Sequence, residues 1–527
     1  MSKAKSMAKV SAKGVFNIFW GLATSSIISA VGVMLVAGIL SEGEYGLVAI
    51  VLIGPNLIAI FRDWGVDWAT IKYTAQYRAE NKEENVKNVL ASVIFFEIIL
   101  GFSLSVFSFF LSGFFATNIF DRPDIMPLIQ IASFTIFADA LLKAAQTAFT
   151  GYEKMEYYSI TSIVFSTLKT SFMVLLVFFG LGTFGAVIGV TIAYLISGAI
   201  SIIILYVVIY KNLHKQEGSK LELLATIKMM FKYGLPLSIS SILSGFLAQF
   251  YNFLIAIYCT DLIIGNYQLA LNFLIIVTLF YIPITKVLFP VFSKINSQKE
   301  PEILRRVFQF SVKYAALLIV PVAFTIITIS EPVVSTLFGA KYSYTPLYLA
   351  LSAITFIFTA AGDLSAENVI KSQGKTDVNL KLALISSVIG LALNLVLIPR
   401  FGVLGLLVTG ITSGIPSLII ALWWINKKFN ATIDWISSVK IVLASALATI
   451  LSFVLTSQLN IAGWITLALR SLIFLASYSI TTPLIGAINK TDIQYFRELL
   501  KGLAPLDIIF SLPLYIIERL TKVFQRS

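Results

Sequence analysis

Apolar runs of about twenty residues with few or no charges recur fourteen times along this chain, and no other feature restricts its fold as strongly. At 1.5 Å per helical residue, each run covers a hydrocarbon core of ~30 Å. The runs lie near 14–40, 46–61, 89–118, 126–150, 157–180, 184–210, 233–258, 266–292, 310–330, 345–371, 380–398, 402–425, 438–457 and 463–487. A closed barrel would show short alternating segments instead, so the predicted class is an all-α polytopic membrane protein of about fourteen spans. Charged residues make up 13% of the chain, against roughly 25% in soluble domains. The first run is too long for a signal-peptide core and lacks a small-residue cleavage site, so it reads as a retained helix.

Lysine and arginine set the predicted orientation. With the N-terminus inside, Arg122, Lys341 and Arg400 are the outside cations among 39 Lys and Arg, and both termini are cytosolic. The net charge of +12 is scattered through short loops, which fits anionic headgroups and excludes a nucleic-acid face. The segment after about 491 mixes charge, apolar clusters and two prolines, and reads as two interfacial helices, with Thr491 and Gln494 matching a capping box. Cys259 is the single cysteine, which excludes an intrachain disulfide.

Two separate matches share nearly one offset. "GEYGLVAIV" at 43–51 and "GNYQLALNF" at 265–273 place Tyr45 and Tyr267 222 residues apart, while "LGTFG" and "FGVLG" align Gly182 with Gly402 and Gly185 with Gly405 at 220. The offset predicts a duplicated six-helix unit. Six is even, so the copies are parallel repeats about an axis along the membrane normal. The expected organisation is an N-terminal lobe at 1–212, a C-terminal lobe at 213–430, two further membrane helices at 431–488 and a cytosolic interfacial tail at 489–527.

"ILSEGEYGLVAIV", "RDWGVDWATI", "YGLPLSISSIL", "VLFPVFSKI" and "NLVLIPRFGVLGLLVTG", in this order, resemble the polysaccharide transporter family. These are the Wzx-type flippases of lipid-linked oligosaccharides, within the multidrug/oligosaccharidyl-lipid/polysaccharide (MOP) exporter superfamily. The resemblance covers nearly the whole chain. It implies a two-lobed bundle working by alternating access in the cell membrane. It also implies a polyprenyl-phosphate- or pyrophosphate-linked glycan as cargo, with membrane lipids and glycan-assembly enzymes as partners.

Such cargo needs cations at the phosphate and polar groups along the sugar. Lys169, mid-span with no acid within one turn, and Lys286, between Pro283 and Pro290, are the first candidates for the phosphate, joined by Arg62 and Lys143. Arg62 and Lys286 are read as an electrostatic mouth. Gln249, Asn252 and Asn272 are candidate sugar contacts, or else helix–helix glue. Glu97, Asp139, Asp363 and Glu367 are candidate ion-coupling acids. Asp139 and Lys143, spaced i, i+4, read equally as a self-neutralising pair, and Asp363 and Glu367 as two repelling carboxylates on one helix face, or as acids neutralised by a lysine from a neighbouring helix. Lys313 is read as a snorkelling lysine, and Arg470 as an anchor for the last two helices.

No catalytic or metal-binding pattern and no cofactor motif is present: "QGKT" at 373–376 has valine where a phosphate loop needs its first glycine, and His214 is the single histidine. A lipid II-type flippase and a multidrug and toxin extruder remain as alternatives. A membrane-embedded glycan polymerase or glycosyltransferase would carry a sizeable charged outer loop, whereas the densest outer cluster is Asp121, Arg122 and Asp124.

Overall fold

The structure is a computed structural model describing residues 2–62, 64–213, 222–293, 295, 297, 299–457, 463–489, 492–494, 515, 518 and 519; the side chains of residues 2–19, 236, 237, 240, 241, 283, 286, 287 and 290 are not described. Every regular element among the described residues is a helix, without a strand. They form two compact units, Met1–Leu269 and Ala270–Ser527.

The first unit holds α1 (Ser2–Ile39), α2 (Glu42–Ala59), a 3₁₀ turn at Ile60–Arg62, α3 (Val66–Ala79), α4 (Glu83–Gly113), α5 (Met126–Gly151), α6 (Met155–Leu176), α7 (Gly182–Val208), α8 (Leu223–Tyr258) and the first turns of α9 (Asp261–Phe273). The sequence "SEGE" explains why α2 starts where it does. Ser41 Oγ accepts from Glu44 N at 3.2 Å and Glu44 Oε2 accepts from Ser41 N at 2.9 Å, a reciprocal capping box. Small and hydroxylated residues let helices approach closely, as expected where lipid offers no hydrophobic drive between them. Gly21 sits over Ser159 and Gly32 over Thr170 between α1 and α6, and Ser108 bonds Ser133 at 2.8 Å between α4 and α5.

The two stretches that match in sequence, 43–51 and 265–273, touch each other. A β-carbon on Gly46 would stand 1.9 Å from the Asp261 carbonyl oxygen, and one on Gly265 would stand 2.0 Å from that of Glu42. Both positions therefore require glycine. Beside this crossing, Asn266 Nδ2 donates to Glu42 at 2.5 Å and Arg122 pairs with Asp261 at 2.7 Å, while Tyr45 and Tyr267 are both buried.

The second unit holds α10 (Ile275–Ser293), α11 (Pro301–Phe338), α12 (Thr345–Ile354), α13 (Asp363–Ser372), α14 (Thr376–Phe401), α15 (Val403–Thr412), α16 (Ile415–Phe429), α17 (Trp435–Ser457) and α18 (Gly463–Leu484). The last two helices pack on each other and on α11, where Phe474 and Tyr478 close over Ala444 and Ala448 and Thr328 bonds Thr449 at 3.1 Å. The 220-residue match recurs in the backbone. Gly182, entering α7, has φ 51° and ψ −137°, and Gly402, entering α15, has φ 56° and ψ −133°. Only glycine occupies that region readily.

Among the described residues, eleven helical stretches are long and apolar enough to cross a membrane, or twelve if the pair Thr345–Ala361 and Asp363–Ser372, bent by 57°, forms one span. The difference from the fourteen expected runs has two further sources. Met155–Asn212 holds two of them, α6 and α7, joined through a kink at Gly180 and Gly182, and the apolar part of α8, Ile242–Tyr258, is short. The chain is a multi-pass membrane protein.

Candidate functional site

The arginine that follows α2 is the centre of a charge cluster. The 3₁₀ turn at Ile60–Arg62 ends the helix, and Gly65, left-handed at φ 78°, starts α3, so Arg62 lies on a sharp corner. From there its Nη1 approaches Glu97 of α4 at 3.5 Å and its Nη2 approaches Asp139 of α5 at 3.1 Å. The fork of a guanidinium suits two acceptors at once. The side chains are 12% exposed for Arg62, 4% for Glu97 and 28% for Asp139, so the two acids differ sharply in their access to water. Tyr194 of α7, tilted against Phe165 at 4.4 Å, lies within electrostatic reach of both Asp139 and Arg62.

Three residues singled out separately in the sequence, Arg62, Glu97 and Asp139, are thus brought together. The expected pair of Asp139 with Lys143 does not form: Asp139 turns to Arg62, and Lys143 is exposed. A cation from another element outcompetes the one a turn away, whose long stem carries its ammonium outward. Lys169 is half-buried midway along α6 and makes no hydrogen bond or ion pair among the described residues. Gln249 and Asn252 are half-buried and bond each other at 3.4 Å, which reflects their three-residue spacing on α8. Asn272 is half-buried near the end of α9. The side chain of Lys286, on α10, lies outside the described residues, as do His214 and Thr491.

In the second unit Asp363 opens α13 behind Gly362, left-handed at φ 80°. Glu367 does not stand as an unscreened second carboxylate, because Lys371 pairs with it. That lysine is supplied from the same helix at i, i+4, not from a neighbouring helix. Asp363 and Glu367 line a cleft of about 170 Å³ with Asn379, Ser386 and Ser417. No group of three or more His, Cys, Asp or Glu suited to a metal occurs among the described residues.

Two other membrane cations are bound structurally. Arg470 of α18 donates to Thr456 of α17 and Glu331 of α11, at 3.1 Å each, and lies over the Phe453 ring. Lys313 does not snorkel: its ammonium pairs with the buried Asp492 at 2.6 Å, to which the Tyr314 hydroxyl also donates at 3.3 Å.

The family described as "Polysaccharide biosynthesis protein" matches residues 35–347, more than half of the sequence. The chain belongs to this family. The family described as "Lipid II flippase MurJ" matches residues 229–476. Among relatives, the uncharacterized membrane protein MJ1068 of Methanocaldococcus jannaschii is 24% identical over 437 residues, covering 79% of this chain and 84% of that protein. The probable low-salt glycan biosynthesis flippase Agl15 of Haloferax volcanii is 24% identical over 225 residues, 42% of this chain and 48% of that one. In three dimensions, this chain is similar to the lipid II flippase MurJ in an inward closed conformation, with a TM-score of 0.69 at 17% identity over 88% of this chain and 98% of the other. An inward-facing multidrug resistance MATE transporter of the MOP superfamily matches with a TM-score of 0.64 at 15% identity, over 77% and 94%. The fold is that of MOP-superfamily transporters.

Sequence reasoning missed Tyr194, Glu331 and Asp492. Their partners lie on other helices, and nothing in linear spacing marks such pairs. Lys371 was legible, four residues after Glu367 on one helix.

Proposed function

We propose that this family member moves a polyprenyl-phosphate- or pyrophosphate-linked oligosaccharide from the cytosolic to the outer leaflet by alternating access. Lys169 carries the anionic half of that reading. An ammonium within a membrane helix costs about 2.5–3.5 kcal/mol on insertion scales, and this one meets no counter-ion among the described residues. A phosphate arriving with the cargo is the partner that offsets the cost. Agl15 and MurJ, named as flippases, support the same class. The MurJ match over 229–476 favours a lipid II-type headgroup as the second reading.

Ion coupling is the second part of the proposal, through Asp139 with Glu97 or through Asp363 with Glu367; for the latter pair the cleft with Asn379, Ser386 and Ser417 supplies polar neighbours. Gln249, Asn252 and Asn272 supply amides for sugar hydroxyls. The test is reconstitution in proteoliposomes with fluorescent lipid-linked oligosaccharides, scoring transfer between leaflets. Lys169→Ala is expected to insert normally and lose most transfer, and wild-type transfer by that variant would remove the assignment. Asp363→Asn with Glu367→Gln is expected to weaken the dependence on an imposed gradient, and an unchanged dependence would exclude that pair.

A further inference from the structure

The stretch "RDWGVDWATI" carries two tryptophans that the charge cluster at Arg62 does not use. Trp64 precedes Gly65, and Trp68 follows it in the first turn of α3; they are 41% and 53% exposed. The backbone under them is fixed, since a β-carbon on Gly65 would stand 2.1 Å from the Gly234 backbone of α8. Trp64 is also fixed as a ring: its indole N–H donates to the Phe61 carbonyl at 2.6 Å, and Phe231 of α8 packs edge-on at 6.2 Å. Lys72 follows Trp68 by four residues, on the same face of α3. Its ammonium lies 3.7 Å from the centre of the Tyr233 ring and 5.0 Å from that of Tyr73, and it makes no ion pair among the described residues. We propose that this corner is a saccharide site, in which Trp64 and Trp68 stack on pyranose rings of the glycan and Lys72 binds an anionic group that the sugar carries.

The surroundings suit neither lipid nor water alone. Asn56, in the last turn of α2, is exposed and makes no hydrogen bond among the described residues, and an unbonded amide is costly in hydrocarbon. Beyond Trp68 the exposed positions of α3 are Lys72, Ala75, Gln76, Arg78 and Ala79, so the helix lacks the apolar stripe with which a helix lies in a bilayer surface. Yet two large ring faces stand open, and water gains nothing from them. A pyranose meets both conditions. Its C–H face is apolar and slightly positive, matching the electron-rich face of an indole, and its hydroxyl rim offers acceptors to the Trp68 N–H, which has none among the described residues. An ammonium held by rings alone keeps its whole charge for a partner from outside, a carboxylate or a phosphate on the sugar. The inference rests on the flippase reading for its glycan, and adds ring contacts to the amides proposed there for sugar hydroxyls.

The full chain, purified in detergent, is titrated with glucuronic acid, glucose 1-phosphate and glucose, and binding is read by saturation-transfer difference NMR. Wild type is expected to bind the charged sugars more tightly than glucose, with saturation strongest on the C–H protons of one ring face; the tighter of the two tells a carboxylate from a phosphate. Trp68→Ala should weaken all three by about three- to tenfold, and Trp68→Tyr should recover part of that loss. Lys72→Gln should remove the preference for charged sugars and leave glucose unchanged. A second measurement tests the bilayer as occupant, in vesicles of phosphatidylcholine and phosphatidylglycerol with brominated acyl chains. The emission of Trp64 and Trp68, taken as the difference between wild type and the Trp64→Phe, Trp68→Phe double variant, should match that in unbrominated lipid. Quenching there assigns the corner to the membrane and overturns the site. Equal sugar binding by wild type and Trp68→Ala, or none by wild type, overturns it as well and leaves the flippase reading to the transfer assay. Wild type that binds sugar through Trp68 but transfers no lipid-linked oligosaccharide removes the flippase reading alone.

Discussion

Removing the guanidinium of Arg62 gives the sharpest measure of how the first unit is held together. In Arg62→Gln the Glu97 carboxylate, 4% exposed, keeps its charge and loses the cation 3.5 Å away. Breaking a buried pair from one side costs about 3–5 kcal/mol, since the carboxylate stays desolvated after losing that cation. At roughly 2–4 °C per kcal/mol for units of this size, thermal inactivation of the detergent-solubilised protein should fall by about 10 °C. Glu97→Gln alone should cost much less, because Asp139 remains at 3.1 Å to hold Arg62. The double variant, with neither charge, should recover a large part of the loss, giving a coupling energy of about 1.5–3 kcal/mol in a double-mutant cycle. Size-exclusion recovery after stepped heating, followed by tryptophan fluorescence, measures all four proteins. If Arg62→Gln melted like wild type, or if the double variant were worse than the sum of the singles, the trio would not be a buried ion cluster.

Gly46→Val should prevent the crossing of α2 on α9, because its first side-chain carbon would occupy the Asp261 carbonyl at 1.9 Å; limited proteolysis at the loop around Asp121 should then accelerate, whereas Gly43→Ala, 3.8 Å from Asp261, should leave the pattern unchanged. Asp492→Asn removes the counter-ion of Lys313 at a 6% exposed position and should lower the melting point by several degrees, while Arg122→Ala, in a pair 36% and 23% exposed, should cost about 1 kcal/mol or less.

The sequence was most informative where the bilayer dictates the pattern. Apolar runs bounded by charge became helices because an unsatisfied backbone is intolerable in hydrocarbon, and the shared offset of Gly182 and Gly402 became one backbone conformation repeated. The boundary between the runs 157–180 and 184–210 was legible, because the glycines there mark the kink at Gly180 and Gly182 that separates α6 from α7; the bend of 57° between Thr345–Ala361 and Asp363–Ser372 inside the run 345–371 was not. For the site, cost did the work. Arg62, Glu97 and Asp139 were conspicuous as charges in apolar surroundings, yet their meeting was not, since 35 and 77 residues separate the partners and only the packing of α4 and α5 decides which cation an acid finds. Asp139 had a lysine at ideal helical spacing and took a distant arginine instead.

The twin turns at Gly182 and Gly402 carry a practical consequence. Their φ and ψ agree within about 5°, so any side chain placed at either suffers the same backbone penalty, of order 1–3 kcal/mol. At 182 a β-carbon would also meet a Glu44 carboxylate oxygen at 3.2 Å. Alanine at either turn therefore probes one and the same backbone penalty, and at 182 it also presses on the acid that caps the start of α2.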